Sequence, residues 1–130
     1  MIDHLDHLVL TTARPDESID FYTRVLGMQL ETFVGGTPAV ERKALKFGHQ
    51  KINIHVQGAE FEPKAQLPVP GALDLCFIAT QPLDQVIALL EARAWPIAEG
   101  PVQRTGATGK IRSVYVRDPD FNLIEISEQL

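Results

Sequence analysis

Four side chains of metal-ligand type stand mid-strand in this sequence: His7, His55, Asp74 and Glu125. Side chains of a strand alternate between its two faces. His7 therefore shares a face with Val9 and Thr11, while Leu8 and Leu10 take the other. By the same alternation Asn53, His55 and Gln57 oppose Ile52, Ile54 and Val56. Asp74 and Cys76 oppose Leu75 and Phe77, and Leu123, Glu125 and Ser127 oppose Ile124 and Ile126. Each strand has an apolar face for packing and a second face that carries one donor. If the four donors face one concavity, they supply two imidazoles and two carboxylates. That mixed nitrogen and oxygen set suits Zn, Ni, Mn, Co or Fe and is poorly matched to Cu(I). Four ligands leave one or two coordination positions for water or substrate, and a carboxylate beside the ion can move a proton.

A second group of residues suits binding. The segment Gly100–Lys110 reads as a long glycine-bearing loop, in which Arg104, Thr105 and Lys110 could hold an anionic group. It is not a P-loop, because no Gly-Lys-Ser/Thr follows at the required spacing. Tyr115 and Arg117 share a face with Ser113 on the strand that follows. His4 and His49 read as solvated or structural. Cys76, between Leu75 and Phe77, reads as a small buried hydrophobe. No nucleophile-elbow sequence marks a serine triad.

The elements that must position these residues come in a repeated order. His4–Thr12 reads as a strand. A helix opens at Pro15, carries Ile19, Tyr22, Val25 and Leu26 on one stripe, and stops at Gly27. Met28–Val34, Arg42–Phe47 and Lys51–Gln57 read as strands, the last two joined as a hairpin at 48–50. The connector 58–71 holds Pro63, Pro68 and Pro70, which argue against a helix or a central strand. Then the order recurs: strand Leu73–Ala79, a helix opened by Pro82, a short strand Trp95–Ala98, the loop, and strands Ile111–Arg117 and Leu123–Ser127 around the turn Asp118-Pro119-Asp120. His7 and Asp74 each precede by eight residues the proline that opens a helix. With a length difference of three residues in between, Ile52–Val56 falls on Asn122–Ile126, which sets His55 against Glu125. The chain is read as one α+β domain, 1–130, with module one about 1–57, the connector 58–71, and module two about 72–130.

Composition narrows the partners. Of 130 residues, 45% are hydrophobic and 22% charged, as in a globular domain. The formal net charge of −5 and the lack of a basic patch argue against nucleic acid and anionic membrane. One cysteine excludes a disulfide framework and fits a reducing, cytoplasmic setting. No apolar run approaches the about 20 residues of a membrane span. The opening residues have neither the basic nor the apolar region of a signal peptide.

Three motifs, Leu-Asp-His-Leu-Val-Leu at 5–10, Phe-Tyr-Thr-Arg-Val-Leu-Gly-Met at 21–28 and Arg-Asp-Pro-Asp-Phe-Asn-Leu-Ile-Glu-Ile at 117–126, resemble the vicinal oxygen chelate superfamily. This is the glyoxalase, bleomycin-resistance and ring-cleaving dioxygenase group. The connector and the Arg-Thr-Gly-Ala loop resemble its glyoxalase-domain proteins of unassigned substrate. The resemblance implies two tandem βαβββ modules whose curved mixed sheets close around a metal cavity. It implies metal ligands at His7 and Glu125, with His55 standing where glyoxalases often carry Glu and Asp74 where most members carry His. With donor types at all four positions, it implies a lyase or isomerase resembling lactoylglutathione lyase. There a divalent metal activates a substrate with adjacent oxygens and Glu125 shuttles the proton. Substrate contacts would come from Arg104, Thr105, Tyr115 and Arg117. The alternatives are an Fe(II) ring-cleaving dioxygenase, a thiol transferase, or a metal-free drug-binding protein of bleomycin-resistance type. The resemblance also implies a homodimer acting on a small molecule.

Overall fold

Alternating apolar residues and two proline-opened helices build two sheets of four strands each. The computed structural model describes all 130 residues, Met1–Leu130. Contacts divide the chain into two compact units, Met1–Pro70 and Gly71–Leu130. Each is a βαβββ module with a mixed sheet, an α+β architecture. No helix is long and apolar enough to cross a membrane.

In the first unit β1 (His7–Thr12) leads into α1 (Pro15–Asp20), which continues as a π-helical turn, Phe21–Val25. Pro15 supplies the fixed φ of a first helical position, and Asp16 and Glu17 sit in the first turn. The corner is tied by Thr12, whose hydroxyl meets Ser18 at 2.9 Å and accepts from the Arg14 backbone N–H at 3.0 Å. Gly27 ends the segment with φ +78°, a conformation a side chain would strain. β2 (Gln29–Gly35), β3 (Val40–Phe47) and β4 (Gln50–Val56) complete the sheet in the order β1-β4-β3-β2. β1 and β4 run parallel, with Val9 opposite Asn53 and Thr11 opposite His55. The core is Leu10, Leu45 and Ile52 with Phe21 and Tyr22, whose rings meet edge to face at 4.9 Å. Burying each such side chain fully stabilises the fold by about 1.5–3 kcal/mol.

The second unit repeats the plan. β5 (Asp74–Ile78), α2 (Leu83–Ala92), β6 (Glu99–Thr105), β7 (Lys110–Arg117) and β8 (Leu123–Gln129) give the order β5-β8-β7-β6, with β5 and β8 parallel. α2 packs on β7 and β8 and buries Leu83 and Leu90 among Val114, Val116 and Ile124. The β7–β8 turn closes on buried Asp118. Its carboxylate accepts from the Asp120 and Asn122 backbone N–H groups, both at 2.9 Å, and from Asn122 Nδ2 at 2.7 Å. Asn122 Oδ1 in turn accepts from the Leu73 N–H at 2.8 Å, which fixes the start of β5.

One segment differs from the reading of the sequence. Trp95–Ala98 is not a strand, and 100–110 is not a long loop. The strand is Glu99–Thr105, and only 106–109 lie between it and β7. Glycine and proline at 100 and 101 read as breakers, but β6 is an edge strand and its register shifts between Glu99 and Val102. An edge and a bulge are where a sheet accepts proline. Glycine is required at 100: at φ +104°, a Cβ there would lie 2.5 Å from the Ser113 carbonyl oxygen.

Candidate functional site

In the second unit the face opposite α2 carries a connected polar group. Ladder pairing puts Cys76 opposite Glu125, Glu125 opposite Tyr115, and Tyr115 opposite Glu99, one row across all four strands. Ser127 and Ser113 pair in the next row. The buried Ser113 hydroxyl donates to Glu125 Oε2 at 2.6 Å, and Ser127 reaches the same oxygen at 3.4 Å. Both hydroxyls hold one oxygen, and the Tyr115 and Cys76 side chains also interact with the carboxylate from the neighbouring strands. Beside it, Arg104 Nε donates to the Tyr115 hydroxyl at 3.2 Å, and Arg104 Nη2 lies 3.4 Å from Glu99. Burial, more than the neighbouring Glu125 carboxylate, pushes the Tyr115 phenol above its usual pKa despite the Arg104 donor. Tyr115 is thus a neutral phenol at physiological pH.

The other residues picked from the sequence lie around this row. Asp74 pairs with Leu123, one row away from Glu125, and is exposed. Thr105 is at the far end of β6, where Lys110 Nζ donates to its hydroxyl at 3.2 Å. Arg117 closes β7 and donates to the Phe121 carbonyl at 3.3 Å. Cys76 is exposed on the open face, 3.4 Å from the Ser127 hydroxyl, and is not the buried hydrophobe its neighbours suggested. Alternation assigns Leu75 and Phe77 to one side of β5 and Cys76 to the other. Apolar neighbours in sequence therefore say nothing about its own burial.

The first unit places its histidines differently. His7 is exposed and its Nδ1 lies 2.8 Å from Asp6. His55 is only 7% exposed, and three residue pairs of the β1–β4 ladder lie between the pair that holds His7 and the pair that holds His55. The His55 ring meets Phe61 edge to face at 5.6 Å, and the Arg42 guanidinium stacks 4.0 Å from the same Phe61 ring. Burial first, then Arg42, pushes the His55 imidazole below its usual pKa; Glu60 opposes this and Lys64 adds to it. Two polar atoms on this side are buried without a hydrogen-bond partner: Asn53 Oδ1 and Arg42 Nε. A buried polar atom left unpaired costs about 1–3 kcal/mol. Arg42, Asn53 and Phe61 were not singled out from the sequence. Asn53 was legible as the neighbour of His55 on one strand face, whereas nothing in the sequence marked Arg42 or Phe61.

The donor types fit a divalent ion; His7 and His55 stand on the first unit, and Asp74 and Glu125 on the second. No three His, Cys, Asp or Glu side chains form a group that could hold a metal ion. A cation on the His55 imidazole would also meet the charges of Arg42 and Lys64, against the single opposing charge of Glu60.

Comparison with known proteins matches this geometry to a family. The chain is 53% identical over 128 residues to virulence protein STM3117 of Salmonella typhimurium, covering 98% of this chain and 85% of that protein. The crystal structure of STM3117 superposes with a TM-score of 0.93 at 52% identity, covering 100% of this chain and 99% of that one. Glyoxalase domain-containing protein RDO1 of Mycosarcoma maydis is 54% identical over 123 residues, or 95% of this chain; the match spans 66% of the length of RDO1. At 24% identity, lactoylglutathione lyase from Agrobacterium tumefaciens shares the fold, with a TM-score of 0.71 over 98% of this chain and 95% of that one. Residues 4–126 match the Glyoxalase/Bleomycin resistance protein/Dioxygenase superfamily, and the chain belongs to it.

Proposed function

We propose that the protein is a small-molecule lyase or isomerase of the glyoxalase kind, in which Glu125 takes and returns a proton at a carbon beside a substrate oxygen. The observation that carries this reading is the anchoring of the Glu125 carboxylate by two serine hydroxyls. Ser113 and Ser127 fix Oε2 and so hold the carboxylate in one orientation, beside the Tyr115 phenol and the Cys76 thiol. A positioned carboxylate of this sort contributes about 10²–10⁴-fold to proton transfer. Tyr115, kept as a phenol, and Arg104 supply donors that would hold and polarise a substrate oxygen next to the base. A divalent ion would add Lewis-acid polarisation of that oxygen.

The test is hydrogen exchange in D2O. Hydroxyacetone, dihydroxyacetone and the hemithioacetal of methylglyoxal with glutathione would each be incubated with the protein and followed by proton NMR. Parallel samples would be stripped by chelator and then supplied with Zn, Ni, Mn, Co or Fe. Exchange of carbon-bound hydrogen that disappears in Glu125→Gln supports the reading. Exchange that persists in that variant removes Glu125 as the base. The second reading is a metal-free small-molecule binding protein. Saturable binding of these compounds with no exchange under any metal would select it.

A further inference from the structure

The helix side of the first sheet carries a cavity. Leu45 of β3 pairs with Ile52 of β4, and both are buried in the core with Phe21 and Tyr22. Alternation puts Glu41 and Lys43 on the same face of β3 as Leu45, and Ile54 and Val56 on the same face of β4 as Ile52. These four residues border a cavity of about 360 Å³. Pro15, Asp16 and Ile19 of α1 border it from the helix, and Ala59 and Phe61 from the connector. Arg42 also touches it, but alternation sends its side chain to the other face, and its guanidinium is taken up by the Phe61 ring at 4.0 Å. The volume is near the lower end of the range for ligand pockets, about 300–1,000 Å³, which suits one small metabolite better than a nucleotide.

The charges of this wall are unanswered. Asp16, Glu41 and Lys43 enter none of the chain's ion pairs, although Glu41 and Lys43 are two residues apart on one strand face. Two carboxylates and one ammonium thus stand beside the apolar side chains of Ile19, Ile54 and Val56. We propose that the cavity binds a free α-amino acid with an apolar side chain. The ligand ammonium pairs with Asp16 and Glu41, its carboxylate with Lys43, and its side chain with the isoleucines and Val56. A zwitterion answers all three charges at once. An amine leaves Lys43 without an anion, and a monocarboxylate meets the repulsion of two acids. The site lies wholly within the first unit and draws on neither His55, which is on the opposite face of β4, nor Glu125.

Calorimetric titration of the full chain with L-phenylalanine and L-leucine tests the proposal. The comparators are phenethylamine (no carboxylate), 3-phenylpropionate (no ammonium) and glycine (no apolar tail). At least one of the two amino acids is expected to bind about tenfold more tightly than every comparator. Lys43→Met should bring L-phenylalanine down to the level of phenethylamine. Asp16→Asn combined with Glu41→Gln should bring it down to the level of phenylpropionate. All three side chains are exposed, so these changes leave the core intact. Ala59→Trp, a substitution in the exposed connector that fills the cavity, should abolish binding while the amide NMR spectrum stays that of a folded chain. Amide shifts on titration should centre on Ile19, Ile54 and Val56. No binding of either amino acid, equal binding of the comparators, shifts centred on Tyr115 and Glu125, affinity untouched by the charge substitutions, or binding that survives Ala59→Trp would each overturn the proposal.

Discussion

The two units repeat one order of elements, yet their open faces are built on opposite terms. In the second, Glu125 is already served by Ser113 and Ser127, and Tyr115 by Arg104. In the first, the equivalent strand carries His55 and Asn53 with no hydrogen-bond partner, beside an Arg42 that no carboxylate answers. A satisfied network fixes a charge in place before any ligand arrives, which is what a proton carrier needs. An unsatisfied one loses stability in the empty state and recovers it when a ligand supplies the missing partners. The two modules thus share a backbone plan and differ in how far the polar groups of their sheets are hydrogen-bonded.

The contrast can be broken at several points. The largest effect is expected from Glu125→Gln, which should slow hydrogen exchange by about 10²–10⁴-fold while leaving the melting temperature nearly unchanged, since amide and carboxylate have the same shape. A large fall in melting temperature would make Glu125 structural. Asp118→Ala should destabilise the chain by about 3 kcal/mol in urea melts, because three N–H donors lose their acceptor in a buried turn. A loss below about 1 kcal/mol would mean that water replaces the carboxylate. Ser113→Ala should cost about 1–2 kcal/mol of stability and slow exchange about tenfold, less than loss of the base itself. Exchange unaffected by this change would show that Oε2 needs no anchoring.

The smallest effect sharpens the comparison from the other side. His55→Leu removes no hydrogen bond, so stability at pH 8 should change by less than about 1 kcal/mol. Its signature is in acid. The folded imidazole has a lowered pKa, so the contribution of His55 is complete above the unfolded value of about 6.5. It is lost as pH falls from there toward the folded value, because the unfolded chain takes up the proton first. Melting temperatures from pH 8 to pH 5 should therefore fall less steeply for His55→Leu than for the unaltered protein. Equal slopes would show that the folded imidazole is as basic as the unfolded one.

Much of the frame was legible because it rests on local rules. Alternation put Glu125, Ser127 and Cys76 on the side of their strands away from the helix, where Cys76 is exposed, Glu125 half-buried and Ser127 buried. Pro15, Gly27, Pro82 and Asp118 marked starts, stops and turns by backbone chemistry that needs no distant partner. The motif at 117–126 carried the family. β6 was missed because Gly100 and Pro101 break strands in general and are accepted only at an edge with a bulge, and edge position is a property of the assembled sheet.

The sequence by itself determined the repeated βαβββ order, the family and the donor types on each strand face, since periodicity and motif act over a few residues. Tertiary structure alone decided which of those side chains meet. Ser113 finds Glu125 through the β7–β8 ladder, and Arg42 and Phe61 reach His55 from a neighbouring strand and a connector. The reason is physical: a hydrogen bond or a stacked ring depends on positions within a fraction of an ångström, and packing sets those positions only once the distant segments have come together.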